Sequence, residues 1–343
     1  MKAKFNLPSR VIFCKKCVMS NQRPSSIPEF FHTKERKGAQ YLNISDKDGI
    51  CDACKQNDIK NKINWKDREK KLIKLLDKYR KNNGEYDCLV PGSGGKDSAF
   101  QAHILKYKYN MNPLVLTWPP ILYTDYGLKN YNNWINIGGF DALVVRPNGK
   151  VMKELTKCSI NNLLHPFQTF ILGQKNVAPK IASKFNINLI FYGENEAEYG
   201  NPIAENNYSL RKKNYFAVKN YNKLYLAGIK IPELIRKYKF KYQDLQIFLP
   251  IHYNEIKNKK LEVHYLGYYL KWTPQEAFYY AVKNTGFSPR PFRTQGTFSK
   301  YNSIDDKIDD LHYYTTFIKF GIGRTTSDAS QEIRNKHLTR KEG

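Results

Sequence analysis

The sequence of 343 residues has no long hydrophobic run. No stretch approaches the roughly 18 to 20 consecutive apolar residues that a membrane-spanning helix needs. Residues 1–13 begin with basic side chains but contain neither an apolar core nor the small-residue cleavage site of a secretory signal. We therefore expect a cytoplasmic protein that does not insert into a membrane.

Acidic residues are scarce: 31 Asp and Glu face 57 Lys and Arg, which gives a formal net charge of +26. A basic surface favours anionic partners. The lysines, however, are spread along the whole chain among Asn, Ile and Tyr, a pattern that biased codon usage also produces. Charge alone does not decide between these explanations. Because no localised basic and aromatic patch stands out, nucleic acid is not expected as a partner.

Cysteine is also scarce, with six residues in the chain, but four of them form two C-x-x-C pairs. Without an export signal a disulfide framework is not expected, and two such pairs offer the four thiolates of a tetrahedral zinc site. An iron–sulfur or redox site and four unrelated thiols are the alternatives, and the intervening loop of 18–50 is longer than in the commonest zinc motifs. We predict a structural Zn²⁺ ion bound by Cys14, Cys17, Cys51 and Cys54.

Short apolar segments alternate with helical patterns after Gly84, which predicts βαβ units and a parallel sheet. The sequence therefore predicts an α/β fold with an N-terminal zinc-binding segment and a mostly helical C-terminal region. The expected domains are the four-cysteine zinc-binding segment at 1–62, a linker helix at 63–84, the α/β domain at 85–200 and a substrate-side region at 201–343. This last region contains a predicted strand near 262–272, a helix within 273–287 that starts at Thr273, and a helix at 303–320.

The segment "VPGSGGKDS" at 90–98 links the first predicted strand to a helix through glycines. Glycine lets backbone N–H groups approach a phosphate, and the following helix adds its positive N-terminal end. The spacing is not that of the common P-loop, which needs Ser or Thr after the lysine where Asp97 stands. An ordinary glycine-rich turn between strand and helix is the alternative.

Residues 93–98, "SGGKDS", resemble the pyrophosphatase loop of PP-loop ATPases, which cleave ATP to AMP and pyrophosphate. Together with "CKKCVMSNQRPSSIPEF", "GICDAC", "GQKNVAP", "YGENEAEYG", "TQGTFSKYNSIDDKID" and "FGIGRTTSDASQEIRNKHLTR", they resemble the N-acetyl sugar amidotransferases. The resemblance implies an adenine nucleotide alpha hydrolase-like (HUP) domain. It also implies conversion of an acetamido sugar to an acetamidino sugar for lipopolysaccharide or for flagellar glycans of the pseudaminic acid type. Ammonia would come from a separate glutaminase of the histidine-biosynthesis type, often with a cyclase-like partner.

The resemblance also implies an ATP site at the carboxyl end of the sheet. The residues expected to contact ATP are Ser93, Gly94, Gly95, Lys96, Asp97, Ser98, Leu116, Thr117 and Gly193, with Asp97 also helping to hold Mg²⁺. Leu116 and Thr117 could equally be strand core. The expected catalytic residues beside Asp97 are Lys175, Glu194 and Glu196, although the acidic run could be a solvated loop.

The substrate residues are expected in the later sequence blocks. Asn195 and Glu198 belong to the acidic run, Arg293 and Lys300 could bind a carboxylate or phosphate, and Asp305 and Asp306 could bind sugar hydroxyls. The two aspartates could instead only favour the first turn of a helix. Arg324 lies in the most family-specific block, and His165 is either a general base or a structural histidine.

Two other functions remain open from the sequence. A PP-loop enzyme of tRNA thiolation with a zinc finger would fit the charge and the C-x-x-C pairs. Such an enzyme should carry cysteines on the ligand side of the sheet, where only Cys158 qualifies. A non-enzymatic zinc-ribbon binding protein is disfavoured by the intact "SGGKDS" loop, although an intact motif does not prove catalysis.

Overall fold

The computed structural model describes residues 7–24, 29–33, 42–193 and 208–343. Its α-helices are α1 Asp52–Lys60, α2 Trp65–Tyr79, α3 Lys96–His103, α4 Asp125–Asn136, α5 Gly149–Leu163, α6 Gln168–Lys184, α7 Ile231–Tyr238, α8 Tyr242–Leu245, α9 Tyr253–Ile256, α10 Leu266–Tyr269, α11 Pro274–Thr285, α12 Asp309–Phe320 and α13 Arg324–Arg334. A π-helical stretch, Ile104–Lys108, continues α3, and short 3-10 turns lie at Glu29–Phe31, Lys213–Tyr215, Tyr221–Lys223 and Gln246–Phe248. No helix in these described ranges is long and apolar enough to cross a membrane.

Five strands form one parallel sheet in the order β3-β2-β1-β4-β9. These strands are β1 Cys88–Pro91, β2 Pro113–Thr117, β3 Asp141–Val144, β4 Leu189–Tyr192 and β9 Glu262–Tyr265. The short strands β5 Ala217–Val218, β6 Tyr225–Leu226, β7 Ile229–Lys230 and β8 Ile251–His252 form two separate two-stranded sheets. The predicted α/β fold with a parallel sheet is confirmed.

The sheet is covered on both faces, which explains why its central strands are apolar throughout. One core contains α5, α6 and the segments between Phe216 and Val263, and the other contains α2, α3, α4 and α11. All five residues of β2 are buried, whereas the edge strand β3 is partly exposed. The carboxyl ends of the parallel strands therefore meet at one edge, where loops are free to bind ligands.

Two helix starts follow the capping signals in the sequence. The Asn64 side chain accepts a hydrogen bond of 3.3 Å from the backbone N–H of Asp67 at the start of α2. The Thr273 hydroxyl accepts one of 3.3 Å from the backbone N–H of Glu276, and Pro274 is the first residue of α11. A side-chain acceptor satisfies a backbone donor that has no partner inside the helix.

The predicted strand near 262–272 is shorter than expected and belongs to the main sheet. Only 262–265 are extended, and Leu266–Tyr269 form the short helix α10. The strand pairs with β4 at the edge of the main sheet, Leu189 opposite Glu262. The sheet of the predicted ATP-binding domain thus includes residues after 200.

The predicted start of the last long helix near Ser303 is wrong. Residues 303–308 are irregular and α12 begins at Asp309, because the preceding segment pairs with the chain after β2. Thr124 donates its backbone N–H to the Asp305 carbonyl at 3.1 Å, and Tyr123 and Asp306 form an isolated β-bridge. The predicted end is correct, since Gly321 follows the helix with a positive φ of 72°.

The four paired cysteines form a third, small core with the C-terminal end of the chain. Ile322 is buried among them, and the side chains of Phe320 and Ile333 pack against this core. The Arg340 guanidinium donates hydrogen bonds to the carbonyls of Cys14 and Cys17. The N-terminal segment is thus attached to α12 and α13.

Replacing Gly173 by alanine should destabilise the protein. Gly173 lies inside α6, and a Cβ there would lie 2.1 Å from the ring of the buried Trp118. Overpacking of this kind costs about 1–3 kcal/mol. We expect a lower urea midpoint for Gly173→Ala, measured by circular dichroism.

Gly149→Ala is the matched control. Gly149 is also helical, at the start of α5, but a Cβ there meets no atom within 4 Å. The control should leave the urea midpoint unchanged or slightly raised. Equal midpoints for both variants would contradict the predicted clash.

Candidate phosphate and metal sites

The loop between β1 and α3 is held in one conformation by its neighbours. The Gly92 backbone N–H donates to the Leu116 carbonyl at 2.9 Å, which fixes the loop to β2. Gly94 has a φ of 85°, and a Cβ there would lie 2.7 Å from Cα of Tyr131 in α4. Only glycine fits at this position. Gly95 differs, because its φ is −65° and the nearest atom to its Cβ would be 3.7 Å away.

The loop ends at the N-terminus of α3, which has Gly95 as its N-cap and no side-chain cap. Lys96, Asp97 and Ser98 make up its first turn, and the Ser98 hydroxyl donates to the Gly95 carbonyl at 3.0 Å. The backbone N–H groups of a helix start and the helix dipole both favour an anion. The loop and helix start therefore have the geometry of a phosphate cradle.

Lys96 and Asp97 form a close ion pair beside this cradle. Lys96 is 7% exposed, and its Nζ lies 2.5 Å from Oδ2 of Asp97. The indole Nε1 of Trp272 donates to Oδ1 of Asp97 at 3.0 Å. The Lys96 ammonium also lies 5.8 Å from the ring centres of Trp272 and Tyr301. Lys96 and Trp272 therefore each hold one oxygen of the Asp97 carboxylate and fix its orientation.

A cavity of about 200 Å³ joins the loop to the C-terminal region, and we call it the phosphate cavity. Its walls include residues 93–97 from the loop, Trp272, Tyr301, Asp305 and Arg324. Nε of Arg324, the first residue of α13, donates to Oδ1 of Asp328 at 2.8 Å. Arg324, which the sequence assigned to the substrate, thus lies in the same cavity as the loop.

Asp305 lies against the loop because its backbone contacts α4. A Cβ on Gly127 would be 2.5 Å from Cα of Asp305, so the two backbones touch. Burial raises the pKa of Asp305, while a hydrogen bond from Ser93 and the charge of Arg290 oppose the shift. Burial and the charges of Asp305 and Asp306 raise the pKa of Asp309 to about 8. A cation in this part of the cavity would stabilise the ionised carboxylates.

A second cavity of about 210 Å³, which we call the basic cavity, lies where β1 enters the loop, at Pro91 and Gly92. Its walls include Gly92, Trp118, Lys175, Gly193 and Arg211. The structure thus brings the predicted Lys175 and Gly193 together at the ends of β1 and β4, apart from the phosphate cavity. Two cationic side chains in its walls make it suited to an anionic ligand.

Leu116 and Thr117 are completely buried at the end of β2. Their carbonyls accept backbone hydrogen bonds of 2.9 Å from Gly92 and Val145 respectively. The structure therefore favours the strand-core alternative for both residues.

Three of the predicted substrate residues lie away from the cavities. Arg293 and Lys300 are exposed, and neither residue lines the phosphate cavity or the basic cavity. Asp306 is 5% exposed, and its carboxylate accepts hydrogen bonds from the backbone N–H groups of Ile121 and Leu122. Asp306 is thus used for structure and is not available to sugar hydroxyls.

The remaining predicted residues, Glu194, Asn195, Glu196 and Glu198, lie outside the described residues. In contrast, Trp272 and Tyr301 line the phosphate cavity, and the charge of Arg290 acts on Asp305; the sequence analysis named none of these three. Their positions depend on packing over long sequence separations, as in the Tyr301 hydroxyl, which donates to Glu332 at 3.1 Å. No short motif marks these residues.

The four paired cysteines converge as the spacing predicts. Their sulfur atoms all lie within 4.8 Å of one another, with 3.9 Å between Cys14 and Cys54 and 3.7 Å between Cys17 and Cys51. Four thiolates around Zn²⁺ at about 2.3 Å would have sulfur atoms about 3.8 Å apart. The Cys51 backbone N–H also donates to Sγ of Cys14 at 3.3 Å. The cluster fits a tetrahedral four-thiolate metal site.

Several known proteins are similar to parts of this chain. A structure of NMN synthetase from Francisella tularensis is 12% identical, with 82% of this chain and 97% of that chain covered and a TM-score of 0.36. The NH3-dependent NAD synthetase from Campylobacter jejuni is 18% identical, with 39% and 58% covered and a TM-score of 0.31. An uncharacterized protein of Methanocaldococcus jannaschii is 34% identical over 83 residues, 24% of this chain and 28% of that protein. The chain thus spans only part of the last two proteins.

The C-terminal residues give a family match. Residues 295–343 match the family described as "LPS biosynthesis protein WbpG-like, C-terminal domain". These residues include Tyr301, Asp305 and Arg324, which line the phosphate cavity. The match confirms the resemblance to a lipopolysaccharide-biosynthesis family that the sequence blocks predict. The C-terminal 49 residues are thus similar to the C-terminal domain of WbpG-like lipopolysaccharide-biosynthesis proteins.

Proposed function

We propose that the protein is an ATP-dependent amidotransferase that converts an acetamido group of a bacterial surface-glycan sugar to an acetamidino group. One observation carries the proposal: the phosphate loop and the family-specific C-terminal residues line the same cavity. A binding module for sugars alone would not need an uncapped helix start, an aspartate and an arginine around one anion-sized space.

The reaction has two steps. The amide oxygen of the sugar attacks the α-phosphorus of ATP, which forms an O-adenylyl imidate and releases pyrophosphate. Ammonia then adds to the imidate carbon, and AMP leaves with the former amide oxygen while a proton is lost to give the amidine. Adenylation is needed because an amide oxygen is a poor leaving group. The protein's contribution is positioning and stabilisation of negative charge.

The phosphate cavity supplies this stabilisation. The backbone N–H groups of residues 93–98 and the ammonium of Lys96 would contact the pyrophosphate as it leaves. Asp97 and Asp305 offer the carboxylate oxygens that Mg²⁺ prefers, and the bound ion would neutralise phosphate charge. The raised pKa of the half-buried Asp305 is consistent with a site that needs a cation to ionise fully.

The basic cavity is the place we assign to the sugar. It lies beside the same loop, and its Lys175 and Arg211 suit a substrate with a carboxylate or phosphate group. Following the family resemblance, we propose that a separate glutaminase subunit with a cyclase-like partner supplies the ammonia. The four-cysteine cluster is proposed to bind a structural Zn²⁺ ion.

The proposal is tested with ATP, ammonium salt and a panel of free and nucleotide-linked acetamido sugars. We expect AMP and pyrophosphate, together with a sugar in which one oxygen is replaced by NH, detected by mass spectrometry. AMP formation that depends on added tRNA instead of a sugar would support the tRNA-modifying alternative. Absence of AMP with every sugar, also in the presence of the glutaminase, would contradict the proposal.

Asp97→Asn should reduce AMP formation by about 100-fold or more, because loss of a metal-bound carboxylate removes several kcal/mol of charge stabilisation. The asparagine oxygen can still accept from Trp272, so the fold should be kept. Asp77→Asn, in the exposed C-terminal turn of α2, is the control and should retain full activity. Similar rates for the two variants would refute the role of Asp97.

Gly95→Ala should weaken ATP binding while leaving stability nearly unchanged. An added Cβ would meet no protein atom closer than 3.7 Å, but a phosphate approaching the backbone N–H groups would meet the added methyl group. We expect a raised KM for ATP and a thermal melting temperature within a few degrees of wild type. An unchanged KM would show that phosphate does not approach at Gly95.

Cys17→Ser should lower zinc content and stability together, since a structural zinc site contributes folding energy. The variant should bind less Zn²⁺ by elemental analysis and unfold at lower temperature. Cys88→Ser replaces a buried cysteine of β1 that is remote from the cluster, so it controls for a buried thiol. Loss of stability without loss of metal in Cys17→Ser would contradict zinc binding there.

A further inference from the structure

A second group of metal-binding side chains lies away from the four cysteines. Glu29, His32 and His165 each offer one donor atom, and these atoms all lie within 4.8 Å of one another. Glu29 Oε2 is 3.0 Å from Nδ1 of His32 and 3.8 Å from Nε2 of His165. Donors around a tetrahedral ion with bonds of about 2.1 Å are roughly 3.4 Å apart. The two observed distances lie on either side of this value.

The contact between Glu29 and His32 is close, but it is not a hydrogen bond at Oε2. That oxygen is buried and accepts no hydrogen bond, although the His32 nitrogen is within 3.0 Å. Buried polar atoms normally have hydrogen-bond partners, so an exception needs an explanation. A cation between the two side chains would satisfy the oxygen, because metal ligands need to be near each other but not aligned for a hydrogen bond.

Three separate parts of the chain hold this cluster in place. The Glu29 carbonyl accepts from Nε2 of Gln168 in α6 at 2.9 Å, which fixes the turn that carries Glu29. His165 lies between α5 and α6, and the ring of His312 from α12 stacks on it with centroids 5.0 Å apart. The His165 ring is therefore held before any ion arrives, as a metal ligand requires.

The charged side chains around this cluster include one that would favour a bound cation and one that would oppose it. Burial lowers the pKa of His165, and the charges of His312, Lys319 and His32 lower it further. Lys319 would repel a cation, but burial lowers its own pKa to about 8 and its ammonium donates to the Leu163 carbonyl at 3.1 Å. The carboxylate of Glu29 supplies a negative charge that offsets the positive charge of Lys319.

We propose that Glu29, His32 and His165 form a second metal site, selective for a first-row divalent ion such as Zn²⁺. Two imidazoles and one carboxylate are a donor set that suits zinc and its neighbours better than Mg²⁺ or Ca²⁺. With three protein ligands the ion keeps a position for water. The site goes beyond the proposed function and does not depend on it, and the ion would tie the N-terminal segment to the α5–α6 turn.

The test uses the full chain, first stripped with a chelator and then saturated with Zn²⁺ and dialysed. Elemental analysis should give two zinc ions per wild-type chain and one for His165→Gln. His252→Gln is the matched control, since His252 is outside the cluster, and it should keep two. One ion in the wild type, or two in His165→Gln, overturns the proposal.

Cobalt distinguishes the two sites in the same protein. The first equivalent of Co²⁺ should give thiolate charge-transfer absorption from the cysteine site, and the second should add only the weaker visible bands of nitrogen and oxygen ligands. Glu29→Gln, which keeps the side-chain shape, should lose the second phase while circular dichroism shows the same fold. A second phase that increases thiolate absorption, or that persists in Glu29→Gln, overturns the proposal.

Discussion

The pairing of residues 121–124 with 304–306 determines the arrangement of the site. Three contacts hold this pairing. The buried carboxylate of Asp306 accepts hydrogen bonds from two backbone N–H groups, and the Thr124 N–H donates to the Asp305 carbonyl. The backbone of Asp305 also lies against Gly127. A carboxylate removed from water in this way needs such donors to offset its desolvation. Because this pairing follows β2 directly, the C-terminal domain is placed against the phosphate loop.

The two ends of the described chain are joined at the cysteine cluster. Arg340 donates to carbonyls within the first C-x-x-C pair, and hydrophobic residues around α12 and α13 pack on the thiols. An ion at this cluster would therefore stabilise more than the N-terminal segment. It would also hold α13, whose first residue Arg324 lines the phosphate cavity. This is a physical link between the cysteine cluster and the phosphate cavity.

Local rules predicted much of the fold. The strands at 88–91, 113–117 and 141–144 lie after Gly84, where short apolar runs alternate with helical patterns. Helices α2 and α11 lie within segments whose patterns predict helices. The start of α12 could not be predicted in this way, because the acidic pair Asp305 and Asp306 resembles a helix start. Asp306 is paired instead with Ile121 and Leu122, which are 185 and 184 residues away in sequence.

The sequence by itself determined which chemical groups are available: four thiolates at paired spacing, and a loop with glycine at position 94, where no other residue fits. Such features depend on the conformation of a few neighbouring residues. Only the tertiary structure decided that Asp305 and Arg324 lie beside this turn, that Leu116 and Thr117 are strand core, and that Trp272 orients Asp97. These contacts join residues of high sequence separation, and they form only because burial of the two faces of the sheet brings the elements together.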